Sequence, residues 1–238
     1  KNLLNYKFKG HSDTEVLFKL YEIYGEKCLN MIKGMFSFLV YNTKDNSIFV
    51  ARDQFGIKPL YFVNHKNFML FSSEVKPILN YIKNSQINYK TMAEYFLLGK
   101  QDHYDTTFFK DISSIEPAHY YKFNNKKKYK KKYWNIFEEK SKKLNEKNSI
   151  DYLNYLLNET IDEYLISDRK IGTFLSSGID STSLTSIISK KVDYKLNTFT
   201  YDFKNNFNIG ESLRVKKNLS KLNVDNHIFF FGLKICFK

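Results

Sequence analysis

A polar ten-residue segment, residues 174–183, combines the residue types that bind anions. It reads Phe-Leu-Ser-Ser-Gly-Ile-Asp-Ser-Thr-Ser, and it lies between a predicted buried strand at 171–175 and a helical pattern at 181–190. In such a unit the backbone N–H groups and the helix dipole converge on one point, and nearby hydroxyls add donors. No lysine follows Gly178, so the loop is not of the Gly-Lys-Ser/Thr type. Donors of this kind suit a phosphate group. A simpler interpretation is that the segment is only a polar turn between strand and helix, with Ser176 or Asp180 as the helix cap.

Strands and helices alternate around this loop. The pattern predicts a helix capped by Ser149, then strands at 197–201 and 227–231 separated by a helix at 211–222. Such alternation is typical of a parallel, doubly wound sheet, in which ligands bind at the carboxyl ends of the strands. The loop would lie at such an end.

The first half of the chain has a different pattern. Residues 12–15, Ser-Asp-Thr-Glu, predict a capping box that opens a helix. Hairpins at 35–52 and 60–72 and short helices at 74–81 and 89–98 follow, which favours an antiparallel sheet in an α+β layer. The predicted fold is therefore a two-domain α+β and α/β protein, with domains at 1–123 and 148–238 and a basic linker at 124–147.

Composition narrows the functional classes. The 238 residues are 42% hydrophobic and carry a formal net charge of +13. The excess is mostly lysine, and it accompanies many Asn, Ile, Phe and Tyr residues, so codon bias explains it without a nucleic-acid partner. The lysine run at 126–132 is predicted to be a solvated loop. Cys28 and Cys236 form neither a disulfide framework nor a metal site, and with no apparent membrane span they favour a cytoplasmic protein.

Several segments, in order, resemble the glutamine-dependent asparagine synthetases. In the first half these are Ser-Asp-Thr-Glu-Val (12–16), Gly-Met-Phe-Ser-Phe (34–38), Ala-Arg-Asp (51–53), Gly-Ile-Lys-Pro-Leu-Tyr (56–61) and Ser-Glu-Val-Lys (73–76). Glu116-Pro117 and Tyr133-Trp134 match the crossing into the second domain. The segment 174–183 resembles the pyrophosphate loop of that family, and Thr-Phe-Thr-Tyr (198–201) resembles the strand that follows it. The resemblance implies part of an N-terminal-nucleophile amidotransferase domain followed by part of an ATP-pyrophosphatase domain.

The resemblance also implies a reaction. The first domain hydrolyses glutamine to glutamate and ammonia, and the second activates aspartate with Mg-ATP as β-aspartyl-AMP before ammonia displaces AMP. Donors that hold the departing pyrophosphate would explain the loop. Glutamine, aspartate, ATP and Mg²⁺ are the expected small-molecule partners, and a homodimer of the full-length relatives is compatible with the resemblance.

Site residues follow from the resemblance position by position. Asp13 matches the aspartate that binds the α-amino group of glutamine, although an acid in a first helical turn is favourable anyway. The positions that match the ATP site are Leu175, Ser176, Ser177, Gly178, Asp180, Ser181 and Tyr201. Asp180 would lie near Mg²⁺, while Leu175 and Tyr201 would line the nucleotide site largely through backbone. Arg52 and Asp53 are expected to form an internal ion pair that fixes the following loop.

The sequence departs from the family pattern at both ends and in the loop. The amidotransferase nucleophile of the family is an N-terminal cysteine, whereas residue 1 here is lysine. We therefore expect no catalytic residue in this chain and no glutamine hydrolysis by this chain alone. The later Gly-Glu-Gly-x-Asp-Glu segment is also missing, and we interpret the chain as a fragment that is inactive alone. Ser177 replaces a glycine, at a cost of roughly 1–2 kcal/mol if its φ is positive.

Two alternatives remain open at this point. A paralogous amidotransferase that adenylates another carboxylate would share every motif above. A non-catalytic protein that retained a nucleotide pocket would bind Mg-ATP without turnover and lose that binding on Asp180→Ala.

Overall fold

The chain divides into two units, Lys1–Ser141 and Lys142–Lys238. The computed structural model describes residues 6–65, 68–100, 105–124, 127–138, 145–203, 211–219 and 222–231. The division falls within the range 124–147 that the sequence assigned to a linker. Among the described residues, no helix combines the length and the apolar character that a membrane crossing requires.

The first unit opens with helix α1, Asp13–Tyr24. Ser12 caps it, since its hydroxyl accepts the N–H of Thr14 at 3.2 Å. The predicted capping box is incomplete, because the Glu15 carboxylate accepts the N–H groups of Lys9 and Gly10, at 3.0 and 2.9 Å, and not that of Ser12. Glu15 therefore fixes the chain that enters the helix.

A four-stranded antiparallel sheet has the order β1-β2-β6-β7. Its strands are β1 (Ser37–Asn42), β2 (Ser47–Arg52), β6 (His119–Asn124) and β7 (Lys127–Lys132). The prediction of a loop at 126–132 is wrong over Lys127–Lys132, because these residues pair with β6 as an exposed edge strand. Lys126 lies outside the described residues. The hairpin of β1 and β2 was predicted, whereas β6 and β7 were missed.

A second antiparallel sheet has the order β4-β3-β5. It consists of β3 (Tyr61–His65), β4 (Phe68–Ser72) and β5 (Ile112–Ser114). Helices α2 (Val75–Ile82) and α3 (Tyr89–Leu98) lie between β4 and β5 in the sequence. Asn88 and Gly99 cap the two ends of α3, which explains why its predicted bounds are confirmed.

Three hydrophobic clusters hold the layers of the first unit together. Side chains of α1 and of the 3₁₀ helix Gly25–Asn30 pack on one face of the four-stranded sheet, around Cys28 and Phe49. The other face packs against the second sheet through Val50, Phe62 and Tyr121. Helix α2 covers the far face of that second sheet. The antiparallel fold predicted for this half is confirmed, as two stacked sheets between helices.

The second unit alternates helices and parallel strands. Its elements are α4 (Glu146–Tyr164), β8 (Gly172–Phe174), α5 (Ile179–Lys191), β9 (Leu196–Phe203), α6 (Ser212–Leu219) and β10 (Val224–Phe231). The sheet order is β10-β9-β8, and both neighbouring pairs are parallel. The predicted parallel α/β arrangement is therefore confirmed.

Helix α4 differs from its prediction at its start and on its buried face. Asn145 is the cap, because its side-chain oxygen accepts the N–H of Asn148 at 2.9 Å, whereas the Ser149 hydroxyl donates back to the Asn145 carbonyl. The spacing predicted one buried apolar face, yet Leu153 is exposed and only Ile161 is buried in α4.

Candidate functional site

The polar loop begins where β8 ends. Leu175 is 3% exposed, and its N–H donates to the Phe199 carbonyl at 2.9 Å. Its own carbonyl accepts the Thr200 hydroxyl at 2.8 Å. The strand itself is not buried as predicted, because Phe174 is 70% exposed. The N–H and the carbonyl of Leu175, at the entry to the loop, are nevertheless both hydrogen-bonded to β9.

A cluster of hydroxyls closes the loop onto the first turn of α5. The Ser181 hydroxyl accepts the N–H of Ser176 at 3.1 Å, and the two hydroxyl oxygens are 2.7 Å apart. The Ser176 hydroxyl accepts the N–H of Gly178 at 3.2 Å, and the Thr182 hydroxyl donates to the Ser176 carbonyl at 3.3 Å. The Ser181 hydroxyl oxygen thus accepts the Ser176 N–H at a position where an oxygen of a bound anion could accept it instead.

Helix α5 starts at Ile179, two residues before the predicted start. Gly178 is its cap residue, with φ −71° and ψ 154°, and among the described residues no side chain caps the helix. The expectation that Ser176 or Asp180 acts as the cap is therefore wrong. First-turn N–H groups without a side-chain acceptor, next to the positive end of the helix dipole, form an arrangement that can bind an anion.

Ser177 fits its position without backbone strain. The described residues other than glycine that have a positive φ are Asn46, Lys83 and Ala118. Ser177 is not among them, so the penalty that the sequence attached to it does not arise.

Asp180 is an exposed residue in the first turn of α5. No group of three or more His, Cys, Asp or Glu side chains that could hold a metal ion is found in the described parts of the chain. A cation at this loop would therefore need ligands beyond Asp180, such as phosphate oxygens. Magnesium commonly binds in this way, through one or two carboxylates and substrate phosphates.

Tyr201 is on β9, one residue after Thr200. The residue is 49% exposed, and its ring lies 6.0 Å from the ring of Phe174 and 5.7 Å from that of Phe229. These aromatic side chains form a row across the three strands. The ring of Tyr201 thus belongs to this row, and the β9 residues that contact the start of the loop are Phe199 and Thr200.

Asp13 is in the first unit, at the first position of α1, and is exposed. It lines an open groove of about 740 Å³. The other lining residues are mostly apolar and include two lysines; they are Thr14, Val16, Leu17, Leu20, Met31, Ile32, Lys33, Met35, Phe36, Ser37, Phe38 and Lys58. A carboxylate that lines such a groove can bind an ammonium group, and the apolar lining residues can contact a short aliphatic chain.

Two buried charges of the first unit, Arg52 and Asp53, were expected to pair with each other. No ion pair between them is found among the described residues. The guanidinium instead donates to backbone carbonyls of Lys58, Ile115 and Gly56, and to the Ser114 hydroxyl, over 2.6 to 3.0 Å. Their role in fixing the loop holds, but each residue does it separately.

Comparison with known proteins places both units. The glutamine amidotransferase domain family matches residues 1–134, and the asparagine synthase family matches residues 152–234. Asparagine synthetase [glutamine-hydrolyzing] 3 of Bacillus subtilis is 33% identical over 84% of this chain and 33% of its own length. Asparagine synthetase [glutamine-hydrolyzing] 2 of the same organism is 32% identical over 98% of this chain and 32% of its own length.

The chain belongs to the glutamine amidotransferase domain family, whose model matches more than half of it, and residues 152–234 match the asparagine synthase family. It spans about a third of the length of the curated relatives it matches. Among solved structures, the glutamine phosphoribosylpyrophosphate amidotransferase of B. subtilis covers 95% of this chain and 41% of its own, with 13% identity and a TM-score of 0.36. That likeness is too low to carry an argument.

Proposed function

We propose that this chain is part of a glutamine-dependent asparagine synthetase and that its loop at 175–181 binds the triphosphate of ATP. The observation that carries the proposal is the uncapped start of α5, beside a cluster of hydroxyls at the carboxyl end of a parallel strand. The match of this region to the asparagine synthase family supports the choice of ATP and aspartate as substrates.

In the proposed reaction an oxygen of the aspartate side-chain carboxylate attacks the α-phosphorus, and the bond to pyrophosphate breaks. Negative charge then grows on the leaving group. The N–H groups of the first turn of α5 and the hydroxyls of Ser176 and Ser181 would stabilise that charge. The Ser181 hydroxyl would exchange its contact with the Ser176 N–H for one with a phosphate oxygen, which frees that N–H as a further donor. Ammonia then displaces AMP.

Asp180 fits a magnesium ion that arrives with the nucleotide. It offers an exposed carboxylate beside the loop, and a phosphate-bound ion needs only one or two protein carboxylates. Mg²⁺ would supply charge neutralisation at the triphosphate. The proposal also includes a cytoplasmic location and a homodimer of the full-length protein, which the composition and the resemblance support.

Glutamine would be the source of ammonia, and Asp13 would bind its α-amino group in the groove of the first unit. We expect Asp13→Asn in the intact natural protein to weaken glutamine-dependent amidation about tenfold or more, because an ion pair becomes a neutral contact. Amidation with added ammonium ion is the matched control and should not change. Equal losses with both nitrogen sources would contradict this role.

The ATP site is tested by calorimetric titration of the 238-residue chain with Mg-ATP and with Mg-AMP. We expect AMP, which lacks the β- and γ-phosphates, to bind at least about tenfold more weakly. Ser181→Ala should weaken ATP binding about tenfold, because a hydroxyl contact to a charged group is lost. Ser186→Ala, the same change further along α5, is the control. Absence of ATP binding by the wild-type chain, or equal affinity for AMP, would overturn the proposal.

The overall reaction needs the intact natural protein. Aspartate-dependent exchange of labelled pyrophosphate into ATP would report the activation step directly. The alternative, activation of a different carboxylate, predicts ATP binding but no exchange that depends on aspartate.

A further inference from the structure

Two threonines of β9 lie side by side in a buried position. Thr198 is 0% and Thr200 is 1% exposed, and both hydroxyls contact the side chain of Asn226 on β10. The distances to the Asn226 side-chain oxygen are 2.8 Å from Thr198 and 3.1 Å from Thr200. In the part of the chain that the structure describes, only Thr200 of the two has a further contact, since its hydroxyl is also 2.8 Å from the Leu175 carbonyl. A series of polar contacts therefore runs from β10 through β9 to Leu175, the first residue after β8, where the loop begins.

The number of available protons determines how this chain of contacts is arranged. The Thr200 hydroxyl has one proton and cannot donate it both to Leu175 and to Asn226. In addition, the Asn226 side-chain nitrogen is buried and has no partner among the described residues. With the amide turned so that its nitrogen faces the threonines, Asn226 donates to both hydroxyls and Thr200 donates to Leu175. That arrangement makes three hydrogen bonds, against two for the opposite one.

This series of polar contacts ends at the peptide group between Leu175 and Ser176, which opens the loop. The Leu175 carbonyl and the Ser176 N–H belong to one planar trans peptide, so they point in opposite directions. Holding the carbonyl towards Thr200 therefore holds the N–H towards the loop. The Ser176 N–H does point there, because it donates to Ser181 at 3.1 Å.

We propose that Thr200, supported by Asn226, is a positioning residue that orients the Leu175–Ser176 peptide so that its N–H faces the phosphate site. This inference rests on the proposed ATP site, and Thr200 itself touches no substrate. Without its hydroxyl the peptide plane can rotate, and the N–H donor that the phosphate would use is no longer fixed before binding. The cost should appear as lost nucleotide affinity.

Thr198 provides a matched control, because it is on the same strand, equally buried and bonded to the same Asn226. Thr198→Val and Thr200→Val each remove one hydroxyl at nearly constant volume. Thr200→Val removes one more buried contact than Thr198→Val, so it should lose somewhat more stability under either role. A merely structural role predicts that ATP affinity falls only in proportion to stability in both variants. The positioning role predicts that Thr200→Val alone loses ATP affinity well beyond its loss of stability.

The test combines Mg-ATP titration, urea unfolding and hydrogen exchange at the Ser176 amide in the 238-residue chain. We expect Thr200→Val to weaken ATP binding about tenfold and to speed exchange of the Ser176 amide about tenfold, with Thr198→Val within about twofold of wild type in both. Thr200→Ser, which keeps the hydroxyl, should restore both values. If Thr200→Val does not fold, Thr200→Ala replaces it, since it introduces no new contact.

Equal ATP affinity or equal amide exchange in the Thr198 and Thr200 variants would overturn the positioning role. If the wild-type chain binds no ATP, the proposed function fails. The exchange measurement still decides the role of Thr200, because it needs no ligand.

Discussion

Asp53 is 1% exposed, and backbone groups satisfy its charge. Its carboxylate accepts the N–H groups of Phe55, Ile57 and Lys58, at 3.1, 2.9 and 3.0 Å. The loop it holds is also tight, because a Cβ on Gly56, where φ is +66°, would lie 2.7 Å from Pro117. A buried carboxylate is therefore tolerated here because the turn around it supplies the donors.

We expect Asp53→Asn to lower the free energy of unfolding of the first unit by about 2–3 kcal/mol, measured by urea unfolding. An asparagine has one acceptor oxygen and an amino group, so it cannot accept from donors at both carboxylate positions. Asp45→Asn is the matched control, since Asp45 accepts the N–H of Ser47 at 3.0 Å in an exposed turn. Its expected cost is below about 1 kcal/mol. Equal costs at the two sites would contradict the account of Asp53.

At the scale of the elements, the 3₁₀ helix Gly25–Asn30 has a direct consequence for stability. It places Cys28 in the core with no exposed surface. Burial, together with the nearby Glu26 carboxylate, raises the pKa of the Cys28 thiol to about 11. The thiol is therefore neutral in the folded protein at pH values where it would ionise in the unfolded chain.

Because the pKa of the Cys28 thiol is higher in the folded state than in the unfolded chain, the stability that the neutral buried thiol contributes is fully present below about pH 8.5, where the unfolded thiol is still protonated. It is lost as the pH rises towards 11. We expect the free energy of unfolding of the first unit to fall by at most about 2–3 kcal/mol over that range. Cys28→Ala should remove the part of the slope between about pH 8.5 and 10, while buried Tyr120, whose pKa burial raises to about 12, keeps a slope above it. An unchanged slope in Cys28→Ala would count against this origin.

Strand β7 shows why some elements could not be predicted from the sequence. Five of its six residues, Lys127–Lys132, are lysines, and they give no alternation of polar and apolar side chains. The strand exists because its backbone completes the ladder of β6, in which Tyr121 faces the core. Lysines then suit an exposed sheet edge, where charge discourages pairing with another chain. Helix α3, by contrast, has its stop and start signals in its own sequence.

At the scale of the whole molecule, the sequence predicted the fold type of each unit and the position of the polar loop between β8 and α5, because their signals are local. Ser176, Gly178 and Ser181 are close in sequence, so one motif contains them all. The contact of Thr200 with Leu175 spans 25 residues, and that with Asn226 spans 26. Only strand order brings these three together. A threonine at every second position of a buried strand was the one available signal.

The two units also differ in their aromatic residues, with a practical result. The chain has one tryptophan, Trp134, and its ring lies 5.3 Å from that of Phe55 in the loop that Arg52 and Asp53 hold. Fluorescence excited at wavelengths that tyrosine does not absorb comes from Trp134 and therefore reports on the first unit alone. The second unit, which carries the phosphate-binding loop, is silent in that signal. Intrinsic fluorescence and circular dichroism together can separate the unfolding of the two units without any label.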